Sequence, residues 1–181
     1  LAPAAQQTGM RSTLLQQLDP SSRPPAAIAA DNPAAADLLR RYGIEPDADL
    51  LFFVDLMQAS ERRSRFWQGR GLRQLDLALA INQLGGNPEQ PEQLAAAICL
   101  HDLGMAFLPL EMLHKEAHFN REERRQMQSH PRLAYDLLKR MPRWDTAAEI
   151  TLQHQEHADG SGYPKGLKEV ETSPGALIIN I

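Results

Sequence analysis

Apolar residues return every three or four positions along most of this chain, and segments patterned in that way fold as helices with one face turned inward. Leu72, Leu75, Leu79 and Leu84 make one such stripe, which ends at Gly85-Gly86-Asn87-Pro88. Leu94, Ala97, Ile98 and His101 make a second, Leu133, Ala134, Leu137 and Leu138 a third, and Ala147, Ile150, Thr151 and His154 a fourth. No segment alternates convincingly between apolar and polar residues, and no Asn-Gly hairpin turn joins two strands. The pattern predicts an all-α fold, a helical bundle. A length of 181 residues leaves room for one domain of ordinary size, or for one domain with an arm.

Residues 1–33 are rich in Ala, Pro, Gln and Ser, with only short apolar clusters such as Leu14, Leu15 and Leu18. They read as a flexible N-terminal arm or linker, and the folded domain is expected over 34–181. Asn32 is placed to cap a first helix, with Pro33 in its first turn and Gly43 as its stop. A second helix is expected after Pro46, through Leu50, Phe53, Val54 and Met57 towards Phe66 and Trp67. Asn120 is expected to cap a helix running through Met127, which Pro131 interrupts before the third stripe resumes. The fourth stripe begins near Asp145, and the turn-rich loop Asp159-Gly-Ser-Gly-Tyr-Pro164 follows it.

Nineteen Lys and Arg against twenty-three Asp and Glu give a formal net charge of −4. That balance removes any general electrostatic attraction to DNA or to an anionic membrane. Two basic clusters, Arg62 to Arg73 and Arg121 to Arg143, read chiefly as solvated helix surface, although two or three guanidinium groups suffice to line a pocket for an anionic dinucleotide. The single cysteine, Cys99, excludes an intramolecular disulfide and a cysteine zinc cluster, and it fits a reducing compartment, so a cytoplasmic chain is expected. No apolar run approaches the ~20 residues that span a bilayer. Leu1 is no initiator Met and opens no signal-peptide pattern, so the sequence reads as a piece of a longer chain.

His101 with Asp102, His130 and His154 occupy positions where a helix face should be apolar or where a helix should end. A single buried histidine is more often a hydrogen-bonded core residue than a ligand. Four nitrogen and oxygen donors brought from three consecutive helices are different, because a borderline or hard divalent metal takes imidazole and carboxylate around an interior cavity.

Three segments carry a specific resemblance: His101-Asp-Leu-Gly-Met-Ala-Phe-Leu-Pro109, then Ser129-His-Pro131, then His154-Gln-Glu-His-Ala-Asp-Gly-Ser-Gly-Tyr-Pro164. In content and order they resemble the HD-GYP family of bacterial signalling phosphodiesterases, over roughly residues 60 to 181. The resemblance implies an all-helical fold of the HD superfamily and hydrolysis of cyclic di-GMP by metal-assisted chemistry, with iron or manganese as the usual metal. It implies that Asp102 is the catalytic carboxylate that bridges metals, and that His101, His130 and His154 supply nitrogen ligands. Gly160, Gly162, Tyr163 and Pro164 would form a loop beside the site, in contact with the nucleotide or with a signalling protein.

The sequence also departs from that family. Arg70 stands where the family has a histidine one helix before the His-Asp pair, and arginine stays protonated and cannot ligate. Gln155 replaces the second histidine of a His-His-Glu stretch, Phe66 stands near an acidic ligand position, and Met105 replaces a phosphate-reaching lysine. His157, three residues beyond His154, is a possible substitute ligand, as are His114 and His118. Reduced metal occupancy or none is therefore expected. The chain reads as a divergent member, a binding or interaction module in cyclic di-GMP signalling with weakened or lost phosphodiesterase activity. The alternative is an active metal-dependent phosphodiesterase with an altered ligand set. The run Gly175 to Ile181 resembles the start of a family helix that carries a last metal-binding aspartate, so the domain is expected to be incomplete at its C-terminus.

Overall fold

Asn32 opens the first helix as its residue type demands: its side-chain oxygen accepts the Ala35 amide at 3.4 Å, and α1 (Pro33–Arg41) follows. The computed structural model describes residues 32–64 and 67–180, so the expected arm falls on residues that are, up to 31, outside the described ones. After α1 come α2 (Ala48–Glu61), α3 (Arg70–Leu84) and α4 (Pro91–Leu100), then a 3-10 turn over Leu103–Phe107. The short α5 (Leu110–Leu113), α6 (Arg121–Met127), α7 (His130–Leu138) and α8 (Asp145–Gln153) lead to a second 3-10 turn (Glu169–Glu171) and α9 (Pro174–Ile179). Among the described residues there is no strand, only an isolated bridge between Asp159 and Lys168. The all-α expectation holds. No helix among the described residues is long and apolar enough to cross a membrane.

Two compact units divide between Phe52 and Phe53, inside α2. In the first, Ala36 and Leu51 pack together with Ala48 beside them. In the second, α4 is the central helix. Its residues from Gln93 to Leu100 are all buried, which suits a segment apolar on nearly every side. α3 and α8 both pack on α4, and α7 packs on α8. The buried Gln93 ties α4 to the start of α8, donating to the Arg143 carbonyl at 2.8 Å and accepting the Ala147 amide at 2.9 Å. Trp144, fully buried, meets Phe53 edge to face at 5.3 Å between ring centroids.

Four expectations change. Leu84 is 89% exposed, because five residues beyond Leu79 it has rotated about 140° off the stripe. Leu133 is 45% exposed, and the inward face of α7 is carried by His130, Ala134 and Leu138 at four-residue spacing. Pro131 does not interrupt a helix but lies in the first turn of α7, where its missing N–H would have had no partner. The break falls at Gln128 and Ser129. α2 ends at Glu61, short of Trp67, and Phe66 is outside the described residues.

Candidate metal centre

The last carbonyls of a helix have no partner in the helix itself. At three helix ends this chain supplies one from a histidine. His101 directly follows α4 and its Nδ1 lies 2.7 Å from the Ile98 carbonyl. His154 directly follows α8, with Nδ1 2.7 Å from the Thr151 carbonyl. His130 opens α7, with Nδ1 2.7 Å from the carbonyl of Met127, the last residue of α6. A carbonyl only accepts, so each Nδ1 carries a proton, and in the neutral form of each ring the Nε2 is left with a lone pair. The same bond that caps the helix thus fixes tautomer and ring orientation.

All three Nε2 atoms converge on Asp102. One carboxylate oxygen, Oδ1, lies 3.6 Å from His130 Nε2 and 3.7 Å from His154 Nε2, and the other, Oδ2, lies 3.4 Å from His101 Nε2. His130 and His154 present their Nε2 atoms to each other at 3.1 Å. Two lone pairs at that distance repel unless a proton or a metal cation lies between them. Ligand atoms ~2.1 Å from one metal stand roughly 3.0–3.4 Å apart. The two imidazoles meet that spacing. Asp102 Oδ1, at 3.6 and 3.7 Å from them, stands a few tenths of an ångström wide of it, so a small inward shift of the carboxylate completes a divalent cation's donor set. Asp102, His130 and His154 form the compact trio, with His101 on the far carboxylate oxygen. Imidazole with carboxylate suits zinc, iron and manganese rather than a soft metal.

Electrostatics follow from the burial. Desolvation and the neighbouring His154 push the His130 pKa down to about 4. Desolvation works the same way on His101, but the adjacent Asp102 charge and hydrogen bond outweigh it and raise its pKa. Burial would raise the Asp102 pKa, yet His101 and His154 hold it well below the usual carboxylate range. A carboxylate that stays ionised beside an imidazole that stays neutral is a pair of ready ligands.

A cavity of about 230 Å³ opens beside this cluster, and His101 and Asp102 line it. Arg70, Met105 and Gln155, three positions of departure, line the same cavity, so residues distant in sequence meet where their chemistry would matter. Met57, Trp67 and Ile98 contribute apolar surface, and Glu61 is the second carboxylate. His157 is exposed, with Nδ1 3.1 Å from Ser161 Oγ, and it is not brought to the cluster. His114 lies against Ser64 at 3.2 Å, and His118 is exposed.

The loop of Gly160, Gly162, Tyr163 and Pro164 folds back beside His130, whose ring faces that of Tyr163 edge-on at 6.5 Å. Burial and the Asp102 charge push the Tyr163 phenol up to about 12. Gly162 is obligatory in this turn, because a Cβ there would stand 2.5 Å from both the Gln155 carbonyl oxygen and the Glu156 Cα.

Three contributors escape a reading of the sequence. Glu156, 1% exposed, holds the loop by accepting the Lys165 and Leu167 amides at 2.7 and 2.8 Å. Its signal was a carboxylate immediately ahead of a glycine-rich turn. Arg63, from the basic cluster, donates to the carbonyls of Met105, Ala106 and Leu108 and so pins the turn after Asp102. Glu61 accepts the amides of Gly69 and Gly71 at the start of α3.

An all-helical protein with a buried carboxylate and imidazole cluster fit for a divalent metal is the class that fold and site define. The HD domain family matches residues 55–181, and this chain belongs to that family, as an HD-GYP-type member. It is 37% identical over 91 residues to the cyclic di-GMP phosphodiesterase response regulator RpfG of Xanthomonas campestris, a match covering 49% of this chain and 24% of that protein. A cyclic di-GMP phosphodiesterase of Thermotoga maritima is also 37% identical over 91 residues, covering 49% and 25%. A 3′3′-cGAMP-specific phosphodiesterase of Vibrio cholerae is 26% identical over 155 residues, covering 86% of this chain and 36% of that protein. The matched parts span about a quarter to a third of the length of these relatives.

Proposed function

We propose that this chain is a divergent HD-GYP domain that binds a 3′,3′-linked cyclic dinucleotide of the cyclic di-GMP type and hydrolyses it weakly or not at all. The observation that carries this reading is the cavity lining. Beside Asp102 and His101, the side chains that face the cavity from α3, the turn after Asp102 and the segment after α8 are Arg70, Met105 and Gln155. A guanidinium, a thioether and a neutral amide are poor replacements for the imidazoles and the ammonium that efficient hydrolysis in this family would use there.

Asp102, His130 and His154 would hold one divalent metal, iron or manganese, with His101 orienting the far oxygen of Asp102. When bound, such a metal supplies charge neutralisation at a phosphoryl group and a nucleophile of lowered pKa. The protein's own part is to keep Asp102 ionised, to aim the three Nε2 atoms at its carboxylate, and to set Tyr163 edge-on beside His130.

The second reading, an active phosphodiesterase with an altered ligand set, draws on the intact trio of donors. Metal content and turnover of cyclic di-GMP separate the two. The purified chain should be supplied with manganese or, under reducing conditions, with ferrous iron. At most one metal per chain, nucleotide binding and slow or absent turnover is the expected result. About two tightly held metals with rapid turnover would establish the second reading instead.

A further inference from the structure

We propose that Arg70 is the anion anchor of the cavity, so that a terminal phosphate is gripped between its guanidinium and a single metal at Asp102, His130 and His154. The proposal rests on the metal-site reading above and adds the ligand class and the residue that selects it.

Arg70 opens α3, is exposed, and lines the cavity that Asp102 and His101 also line. Among the described residues no carboxylate pairs with its guanidinium. The other carboxylate that lines the cavity with Asp102, Glu61, accepts the amides of Gly69 and Gly71 on its two oxygens. A cation that lines a cavity with no carboxylate paired to it is an open position for an anion.

Charge makes that position conditional. Glu61 and Asp102 against Arg70 leave the cavity one negative charge in excess, which repels an anion. One divalent metal at the trio reverses the sign to a single positive excess. Anion binding should therefore require the metal, and by linkage the anion should tighten the metal by the same factor.

Chemistry and size narrow the anion. A guanidinium binds two oxygens of one phosphate in a fork, and a metal takes a third. A phosphomonoester has three free oxygens and two charges to offer, whereas a diester has two oxygens and one charge. The cavity, about 230 Å³, is below the ~300–1,000 Å³ of pockets that enclose a whole drug-sized ligand. It suits a chain end carrying a phosphate, with Trp67 and Met57 as an apolar wall for the attached nucleoside.

Titration calorimetry of the full chain with manganese, then with guanosine 5′-monophosphate, guanosine and cyclic di-GMP, tests this. Wild type should bind one Mn²⁺ per chain, and guanosine 5′-monophosphate only when Mn²⁺ is present, at least tenfold more tightly than guanosine. Arg70→Gln should weaken the monophosphate at least tenfold and leave Mn²⁺ affinity within twofold, and Arg70→Lys should fall between. Because Arg70 is exposed, unchanged thermal unfolding of both variants is expected. Two Mn²⁺ per chain, or monophosphate binding that Arg70→Gln leaves intact, overturns the assignment. Cyclic di-GMP binding that persists while the monophosphate fails to bind overturns this assignment alone. Failure of Mn²⁺ and of every nucleotide overturns the metal-site reading and this assignment with it.

Discussion

Glu156 shows how one buried side chain holds the loop beside the site. Both of its oxygens accept backbone amides, from Lys165 and Leu167, at 2.7 and 2.8 Å. Glu156→Gln keeps the volume but turns an amide NH₂ towards one of two N–H donors, leaving a buried donor unsatisfied at a cost of ~1–3 kcal/mol. Urea unfolding should show a loss of that order, and hydrogen exchange at Lys165 and Leu167 should quicken. Unchanged exchange at both amides would contradict the role. His130 gives the acid behaviour of the metal-free chain. Its pKa falls from 6.5 in the unfolded chain to about 4 in the folded one, so between those values the unfolded chain holds the extra proton. Stability from this group is complete above pH 6.5 and is lost as pH falls towards 4. Its neighbours do not blur the window: the raised His101 pKa acts above 6.5 and the lowered Asp102 pKa acts below 3.8. Metal-free wild type should therefore lose a few kcal/mol between pH 6.5 and 4.5, and His130→Asn should lose less. Equal losses in both would refute the assignment.

At the scale of elements, the donors sit at helix ends because those ends need them. His101 and His154 each follow a helix and answer one of its last carbonyls, and the ring so fixed points its other nitrogen at Asp102. The turn after Asp102 must then lie flat against α7, and Gly104 permits it: a Cβ there would stand 2.7 Å from the His130 Cα. Gly104→Ala should therefore push the turn and α7 apart, costing ~1–3 kcal/mol and weakening metal binding at least tenfold. Gly85→Ala, whose nearest neighbour would be at 3.4 Å, is the control and should change metal affinity little. Manganese titration with thermal unfolding checks both, and a Gly104→Ala protein with normal affinity would overturn the argument. The sequence made these helices legible where apolar spacing was strict, as through Leu94, Ala97 and Ile98 in α4. It misplaced Leu84 and Leu133 because apolar spacing alone tolerates a five-residue step or a neighbouring position that the 3.6-residue turn does not. Pro131 misled because proline marks both a break and a beginning, and only the His130 contact with Met127 shows which. The histidines and Asp102 were legible through their order along the chain. Arg63 and Glu156 were not, because both act on backbone groups that no side-chain pattern reveals.

Within a molecule of net charge −4, the cavity carries a local negative excess that one divalent cation would reverse. Asp102 is held ionised by the neighbouring imidazoles, two of which bring their Nε2 atoms to 3.1 Å, so the folded chain gathers donors that the unfolded chain keeps apart. Anything that binds the folded state alone raises stability by mass action, ~2.7 kcal/mol when its concentration is 100 times its Kd. The trio exists only when α6, α7, α8 and the turn after α4 are assembled, so a divalent metal selects the folded state. Manganese at pH 7 should thus raise the unfolding midpoint of the wild type by several degrees, and a chelator should reverse the shift. Asp102→Asn removes the charge and leaves the shape, so it should abolish the shift, while the metal-free midpoint falls with the loss of the carboxylate's pairing to His101. An equal shift in Asp102→Asn would place the metal elsewhere on the molecule, and no shift in the wild type at millimolar manganese would remove the trio as a site for that metal.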